Sequence, residues 1–243
     1  MLKLLVGAAL LLGSMTMSAQ ESFETDTIKT SGGDLKITFI GHGSLLFAYN
    51  QLQIYVDPFG QLADFNLLPK ADLIFITHQH QDHFDSAAIE KLRMPNTQIF
   101  LNAACRPAPP GSRVLQNKDR INVQGIDVAV VPAYNIVNLR ESGVPYHPRG
   151  EGNGYVFTFA DMLVYVAGDT ENIPEMAQLK NIAVAFLPMN LPYTMTPEMA
   201  AQAARSFKPR ILYPYHFGNT DPQQLTRLLA GETGITVRIR KMN

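Results

Sequence analysis

Short apolar runs separated by polar turns dominate the pattern of hydrophobic positions along the chain. These runs are rich in β-branched and aromatic residues and have the length of strands. Tight turns join the early runs, which predicts antiparallel hairpins, whereas helices separate the later runs. The pattern therefore predicts one α/β domain. The predicted strands span residues 36–40, 44–48, 52–56, 72–77, 97–101, 126–131, 155–159, 162–166, 182–187, 210–213 and 235–239.

Helical signals lie between several of the predicted strands. Residues 196–207 and 221–231 each begin with a capping side chain, Thr or Asp, that is followed directly by proline. Proline suits the first helical position, because the amide hydrogen that it lacks would have no partner there. Gly231 ends the second of these segments. A further helix is predicted for residues 86–93.

The first 19 residues have the layout of a secretory signal peptide. Lys3 precedes an apolar core at residues 4–12, and small or polar residues lead to a predicted cleavage after Ala19. The core is too short to span a bilayer, and a buried N-terminal helix is the alternative. We expect a periplasmic or secreted protein with no membrane span in the mature chain, and a flexible segment at residues 20–33.

Composition limits the kinds of protein that residues 34–243 can form. The full chain has 46% hydrophobic residues, which is enough to bury the core of a single domain. The formal net charge of -1 gives no electrostatic surface for nucleic acid. Cys105 is the sole cysteine, so no disulfide forms within the chain. The oligomeric state stays open.

The stretch ITHQHQDHFD, residues 76–85, begins where an apolar strand pattern stops. His78 and His80 can converge on one cation, while Asp82 and His83 point elsewhere and can serve a second one nearby. Imidazole and carboxylate ligands suit Zn, and also Mn or Fe. A solvated polar loop is the alternative, but ligands this crowded cost stability unless a metal binds. The stretch therefore predicts a metal site at the end of a strand.

The motif T-H-x-H-x-D-H in this stretch resembles the signature of the metallo-β-lactamase-fold superfamily. This resemblance implies an αββα sandwich, in which two mixed sheets are flanked by helices. Two further segments, GHGS and LPMNLPYTMTPEMAAQAA, are similar to the branch that contains the ascorbate-6-phosphate lactonase. Other segments that match the superfamily are VDPF with Asp57, YHPRGEGNGY with His147, YVAGDT with Asp169, and YPYHFGN with His216.

The resemblance implies a site for two divalent ions, most readily Zn. Asp169 would bridge the two ions. Asp57 and His42 would contact the ligands and hold them in position without binding the ions themselves. The implied ligands are His78, His80 and His147 for one ion, and Asp82, His83 and His216 for the other. Taken singly, each of the three distant ligands would be better explained as a turn, surface or core residue. Together they favour a site, because each follows a β-rich run or lies in the one long irregular segment, residues 134–154.

Three residues are candidates for substrate contacts. Arg149 stands beside His147 and could bind an anionic group, although a surface salt bridge is an equal alternative. Asn190 and Tyr193 follow a predicted strand and could line the pocket, or simply belong to a turn.

These ligands predict an exported metal-dependent hydrolase acting on an ester, lactone or phosphodiester, with a small and anionic substrate. Two cations would lower the pKa of a shared water, and Asp82 would orient that water and carry a proton to the leaving group. Little activity on penicillins is expected. Two alternatives stay open: a mononuclear iron oxygenase and a metal-binding protein without catalysis. An amidohydrolase is excluded because its barrel would need a longer chain. An α-carbonic anhydrase is excluded because its metal site would give Asp169 no role.

Overall fold

A computed structural model describes residues 22–243, which form two seven-stranded sheets and three α-helices. The predicted signal peptide lies outside these residues. The first sheet consists of β1 (Glu24–Thr30), β2 (Gly33–Gly41), β3 (Ser44–Tyr49), β4 (Leu52–Val56), β5 (Leu73–Phe75), β6 (Gln98–Leu101) and β7 (Arg113–Val114). The second sheet consists of β8 (Arg120–Val123), β9 (Ile126–Ala133), β10 (Gly152–Phe159), β11 (Met162–Val166), β12 (Ile182–Pro188), β13 (Ile211–Tyr215) and β14 (Thr236–Val237).

Both sheets follow the same plan. Their strands lie side by side in chain order, and the first four strands of each sheet pair antiparallel. The remaining strands add in parallel. The mixed sheets of the expected sandwich are thereby confirmed. The hairpins are not restricted to the start of the chain, however, because β8 to β11 begin the second sheet with a new set.

The interior of the sandwich is filled with aromatic side chains from both sheets. The ring of Phe157 in the second sheet lies 4.9 Å from that of Phe75 and 5.7 Å from that of Phe47, both in the first sheet. Leu45 and Phe47 of β3 belong to this core, whereas Leu46 between them faces the other side of the sheet. The alternation expected of a strand thus gives β3 two buried faces.

Helices cover the outer faces of the two sheets. On the first sheet, α1 (Ser86–Leu92) packs with Ala88, Ile89 and Leu92 buried. On the second, α2 (Pro197–Phe207) buries its alanine-rich side, and α3 (Gln223–Leu228) packs against α2. The side chain of Thr196 accepts a hydrogen bond from the Met199 amide, as the capping signal predicted. A short 3₁₀ helix covers Pro174–Gln178.

The expected flexible segment at residues 20–33 is wrong for most of its length. Residues 24–30 form β1, which pairs with β2 along its whole length. Only Ile28 of this strand is buried, so the local sequence has the polar character of a mobile segment. Besides this pairing, a distant residue helps to hold the strand, because the Asp26 carboxylate accepts hydrogen bonds from the Arg240 guanidinium at 2.7 and 2.8 Å.

Between residues 22 and 243, no helix has both the length and the apolar character that a membrane crossing requires.

Candidate metal centre

The histidine-rich loop leads from the end of β5 to the start of α1. Every residue of β5 is buried, so the end of this strand at Phe75 gives the loop a fixed starting point. Asp169 follows β11, and His216 follows β13, the strand two places along in the second sheet. Parallel strands end at one edge of a sheet, which brings these loops together. His147 reaches the same place from the long segment between β9 and β10.

One group of ligand atoms comes from His78, His80 and His147, whose atoms all lie within 4.8 Å of one another. The Nε2 atom of His78 is 3.0 Å from Nδ1 of His80. The Oδ2 atom of Asp169 lies 3.2 Å from Nε2 of His147 and 3.9 Å from Nε2 of His78. The three histidines implied for the first ion are therefore adjacent, with a carboxylate beside them.

A second group lies on the other side of Asp169. The Nε2 atoms of His83 and His216 are 3.0 Å apart. The Oδ2 atom of Asp82 is 3.7 and 3.4 Å from these two atoms, respectively. Asp169 contacts this group as well, with Oδ1 at 3.5 Å from His83 and Oδ2 at 3.6 Å from His216. Its carboxylate thus lies between both groups, as a bridging ligand would.

Buried hydrogen bonds fix the outward nitrogens of two ligand rings. Nδ1 of His83 lies 2.8 Å from the Asp57 carboxylate, and Nδ1 of His78 lies 3.0 Å from the Thr77 hydroxyl. Asp57 also accepts hydrogen bonds from the Thr77 amide at 2.7 Å and from its hydroxyl at 2.6 Å. With Nδ1 engaged in this way, Nε2 of each ring points inward. Such an arrangement is typical of metal-ligating histidines.

His147 is positioned by a network that the sequence analysis missed. The side-chain oxygen of Asn135 accepts a hydrogen bond from the His147 amide at 3.1 Å and lies 2.6 Å from its Nδ1. Asn135 donates in turn to the buried carboxylate of Glu171 at 3.1 Å. Glu171 directly follows the G-D-T motif, and this position was the one feature of the sequence that could have indicated its role.

The GHGS segment wraps closely around the second group of ligands. Nε2 of His42 lies 3.0 Å from Oδ2 of Asp82, and the His42 carbonyl accepts a hydrogen bond from the His216 amide at 3.0 Å. The ring of His42 also lies 3.7 Å from that of His216. A Cβ atom at Gly43 would lie 2.9 Å from Cε1 of His83, so only glycine permits this approach. His42 therefore contacts the ligands directly and belongs to the same cluster of side chains.

The charges inside the cluster move the pKa values of its histidines apart. Burial alone would lower the pKa of His83, but the carboxylates of Asp169 and Asp57 outweigh it and raise that pKa to about 10. Burial and the neighbouring His147 lower the pKa of His80 to about 4. Without metal, the cluster thus combines an imidazolium with neutral imidazoles. A divalent ion bound in the cluster would displace the proton of this imidazolium and supply positive charge in its place.

The unpaired atoms of the cluster also fit metal ions. Among residues 22–243, Nε2 of His147 and Oδ1 of Asp169 are buried and have no hydrogen-bond partner, although both face the cluster. Leaving such atoms unpaired is costly in a folded protein. Nitrogen and carboxylate donors at these separations suit Zn, Mn or Fe. The residues present therefore fit the ions that the sequence predicts.

A pocket of about 390 Å³ opens directly onto the cluster. Asn190 and Tyr193 line it, which is where the sequence analysis expected them. Its walls are formed by His80, Asp82, Arg140, Tyr146, His147, Asp169, Asn190, Tyr193 and His216. A larger cavity of about 520 Å³ on the second sheet contains none of the histidines, so we place the site at the smaller one.

The expected anion contact at Arg149 requires a correction. Its guanidinium donates to Glu175 at 2.7 Å and lies 5.0 Å from the centre of the Tyr134 ring, and it does not line the pocket. Proximity to His147 in sequence was misleading, because the chain turns at Arg149, where the Glu151 amide donates a hydrogen bond to the Pro148 carbonyl at 3.2 Å. Arg140 lines the pocket instead, with its guanidinium 5.0 Å from the centre of the Tyr146 ring.

Residues 36–216 match a family model described as the beta-lactamase superfamily domain. The chain is 28% identical over 221 residues to a metal-dependent hydrolase of Thermococcus kodakarensis, covering 84% of this chain and 96% of that protein. It is 46% identical to a metal-dependent hydrolase of Parabacteroides distasonis known from a crystal structure. That similarity covers 91% of this chain and 100% of the other, with a TM-score of 0.87.

The fold also resembles a diiron β-hydroxylase of Streptomyces venezuelae. The TM-score is 0.69 at 16% identity, covering 88% of this chain and 54% of that one. At this identity the likeness concerns the fold alone. The same architecture thus occurs in an oxygenase as well as in hydrolases.

Proposed function

Since the chain belongs to the metallo-β-lactamase superfamily and is a metal-dependent hydrolase, we propose that it uses two divalent ions to cleave an ester, lactone or phosphodiester. The observation that supports two ions is the position of Asp169. Its carboxylate lies within 3.9 Å of ligand nitrogens from both groups of histidines. A centre for a single ion would need only one of these groups.

In this proposal, His78, His80 and His147 hold one ion, and Asp82, His83 and His216 hold the other, with Asp169 shared. When bound, two such ions would lower the pKa of a water between them and would place positive charge next to the reacting oxygen of the substrate. The remaining chemistry falls to the side chains that line the pocket.

Asp82 is the carboxylate suited to proton transfer. Its side chain is 37% exposed, whereas that of Asp169 is 4% exposed. Burial would raise the pKa of Asp82, but hydrogen bonds from His216 and His42 outweigh it and lower that pKa, so without metal the carboxylate is ionised. Oδ2 makes these contacts. Oδ1 is then the atom that would take a proton from the attacking water and pass it to the leaving group.

A substrate panel tests this function. Protein loaded with Zn, Mn or Fe would be assayed on bis(p-nitrophenyl) phosphate, a phosphorylated sugar lactone and benzylpenicillin. We expect hydrolysis of one of the first two, little of penicillin, and loss of activity after chelation. Iron-dependent oxygen consumption without hydrolysis would favour the oxygenase, and bound metal without any turnover would favour a non-catalytic protein.

Arg140 is proposed as the contact for an anionic group of the substrate, in place of Arg149. We expect Arg140→Gln to raise KM for an anionic substrate about tenfold, because a charge-assisted hydrogen bond is lost, and to leave KM for a neutral ester nearly unchanged. The matched control is Arg149→Gln, which removes an exposed guanidinium outside the pocket and should leave both constants unchanged. Equal effects of Arg140→Gln on both substrates would contradict this role.

Export remains a proposal that rests on the sequence of residues 1–19. We expect the mature protein in its native host to begin near residue 20 and to be found outside the cytoplasm. Peptide mapping of protein isolated from the host tests this. Recovery of the intact first 19 residues on cytosolic protein would contradict it.

A further inference from the structure

Exposed apolar side chains are concentrated beside the candidate pocket. Within residues 22–243, eight large apolar side chains are more than 40% exposed, and six of them lie in two loops next to the pocket. The other two are Leu67 and Val114. We call the six residues the apolar rim: Ile136, Val137, Leu139, Val144, Leu191 and Tyr193.

The backbone of the rim is held in place by buried polar groups. The Glu171 carboxylate accepts hydrogen bonds from the amides of residues 136–138 at 2.6 to 2.8 Å. The side chain of Asn138 donates to the carbonyl of Thr194 at 2.6 Å, which joins the two loops. The Arg140 amide closes a turn on the Val144 carbonyl at 2.8 Å. The apolar side chains are therefore presented outward by an ordered scaffold, although their exposure to water is unfavourable.

The rim continues directly into the pocket. The rings of Tyr146 and Tyr193 meet edge to face at 5.0 Å, and both line the pocket. Tyr193 belongs to the rim and to the pocket wall at once. Arg140, between rim residues Leu139 and Val144, points its guanidinium over Tyr146 and has no carboxylate within salt-bridge distance in the part of the chain described. A positive charge and an apolar surface thus lie side by side at the mouth of the site.

We propose that the apolar rim binds the hydrocarbon part of an amphiphilic substrate whose anionic group is held by Arg140. This inference deepens the proposed function and rests on it, since it treats the pocket as the site of hydrolysis. The charge complementarity to Arg140 and the continuity between rim and pocket favour a substrate chain over a protein partner. The substrate class is an anionic ester with an alkyl, acyl or aryl group.

Chain length is the variable that tests the rim. A fully buried methylene strengthens binding about fourfold, and one covered on a single side contributes about twofold. Octylphosphonate and butylphosphonate, which carry no hydrolysable ester, would be titrated calorimetrically into the metal-loaded protein. We expect the octyl compound, which has four more methylenes, to bind about fifteenfold more tightly than the butyl compound. We expect Val137→Ser combined with Leu139→Ser to reduce this ratio to about twofold.

The control variant is Leu67→Ser. Leu67 is 62% exposed and is not among the residues that line the pocket. It lies between Asp64 and Lys70, which both contact Lys91 in the last turn of α1. This variant should keep the affinity ratio of the unmodified protein. Equal affinities of the two phosphonates for the unmodified protein would overturn the role of the rim.

The two levels of the proposal fail in different ways. Chain-length-dependent phosphonate binding without hydrolysis of any ester would refute the proposed hydrolysis, while the rim would still be an amphiphile site. Hydrolysis that is indifferent to chain length would refute the rim alone. Binding to phosphatidylglycerol vesicles that the double variant abolishes, with unchanged phosphonate affinities, would show that the rim contacts a membrane surface and would also overturn the proposal.

Discussion

Replacing Asp169 with alanine is expected to weaken metal binding at both halves of the centre and to lower kcat/KM at least about a thousandfold. The Asp169 carboxylate lies 3.2 Å from Nε2 of His147 and 3.5 Å from Nε2 of His83, so one substitution removes a donor from each group. Burial would raise the pKa of Asp169, but the charges of His216 and His83 outweigh it and lower that pKa, so the carboxylate is anionic. Its loss therefore also removes negative charge between the two ions.

Metal content after gel filtration, measured together with activity, tests this expectation. We expect Asp169→Ala to retain less than one ion per chain, and Asp169→Asn to behave similarly, because an amide is a weaker ligand than a carboxylate. The control is Asp127→Ala, which removes an exposed carboxylate bonded to Asn122. Loss of one ion only, with the second bound at unchanged affinity, would show that Asp169 does not serve both groups.

The second large effect is expected from Asp57→Ala, which should destabilise the metal-free protein by about 3 to 5 kcal/mol. The Asp57 side chain is fully buried, and it accepts hydrogen bonds from both the amide and the hydroxyl of Thr77. It also lies 2.8 Å from Nδ1 of His83. Removal of the carboxylate leaves these buried donors unpaired and frees the His83 ring to rotate.

Urea unfolding of the metal-free variant measures this change in the free energy of unfolding. Thr77→Val provides a graded comparison, since it removes the hydroxyl but keeps the amide contact, and should cost about 1 to 2 kcal/mol. Both variants should bind metal more weakly, with Asp57→Ala the weaker of the two. An unchanged unfolding midpoint for Asp57→Ala would rule out the anchoring role of Asp57.

Local patterns were sufficient to predict most of the fold. The apolar run at residues 52–56 and the capped segment at residues 196–207 contain their own signals, and both elements occur where those signals lie. β1 was missed because it has one buried side chain and depends on Arg240, more than 200 residues away in sequence. β8 was missed for a similar reason, because only Val123 of its four residues is buried.

The candidate site shows the same division between local and distant information. His78, His80, Asp82 and His83 could be predicted because their spacing within one loop has a direct geometric meaning. Arg140 could not, because its place in the pocket depends on how the loop between β9 and β10 turns back at the Val144 carbonyl. The same folding of the loop turns Arg149 away toward Glu175.

The most direct measurement of the central claim is the number of divalent ions that the folded chain binds. Metal-free protein would be titrated with Zn or Mn, and bound metal would be counted by mass spectrometry of the native protein. Two ions per chain are expected, with one retained when His78→Ala and His80→Ala are combined, because the group of Asp82, His83 and His216 stays intact. A folded chain that binds no ion at micromolar concentration, or that saturates at one, would contradict a centre built from both groups.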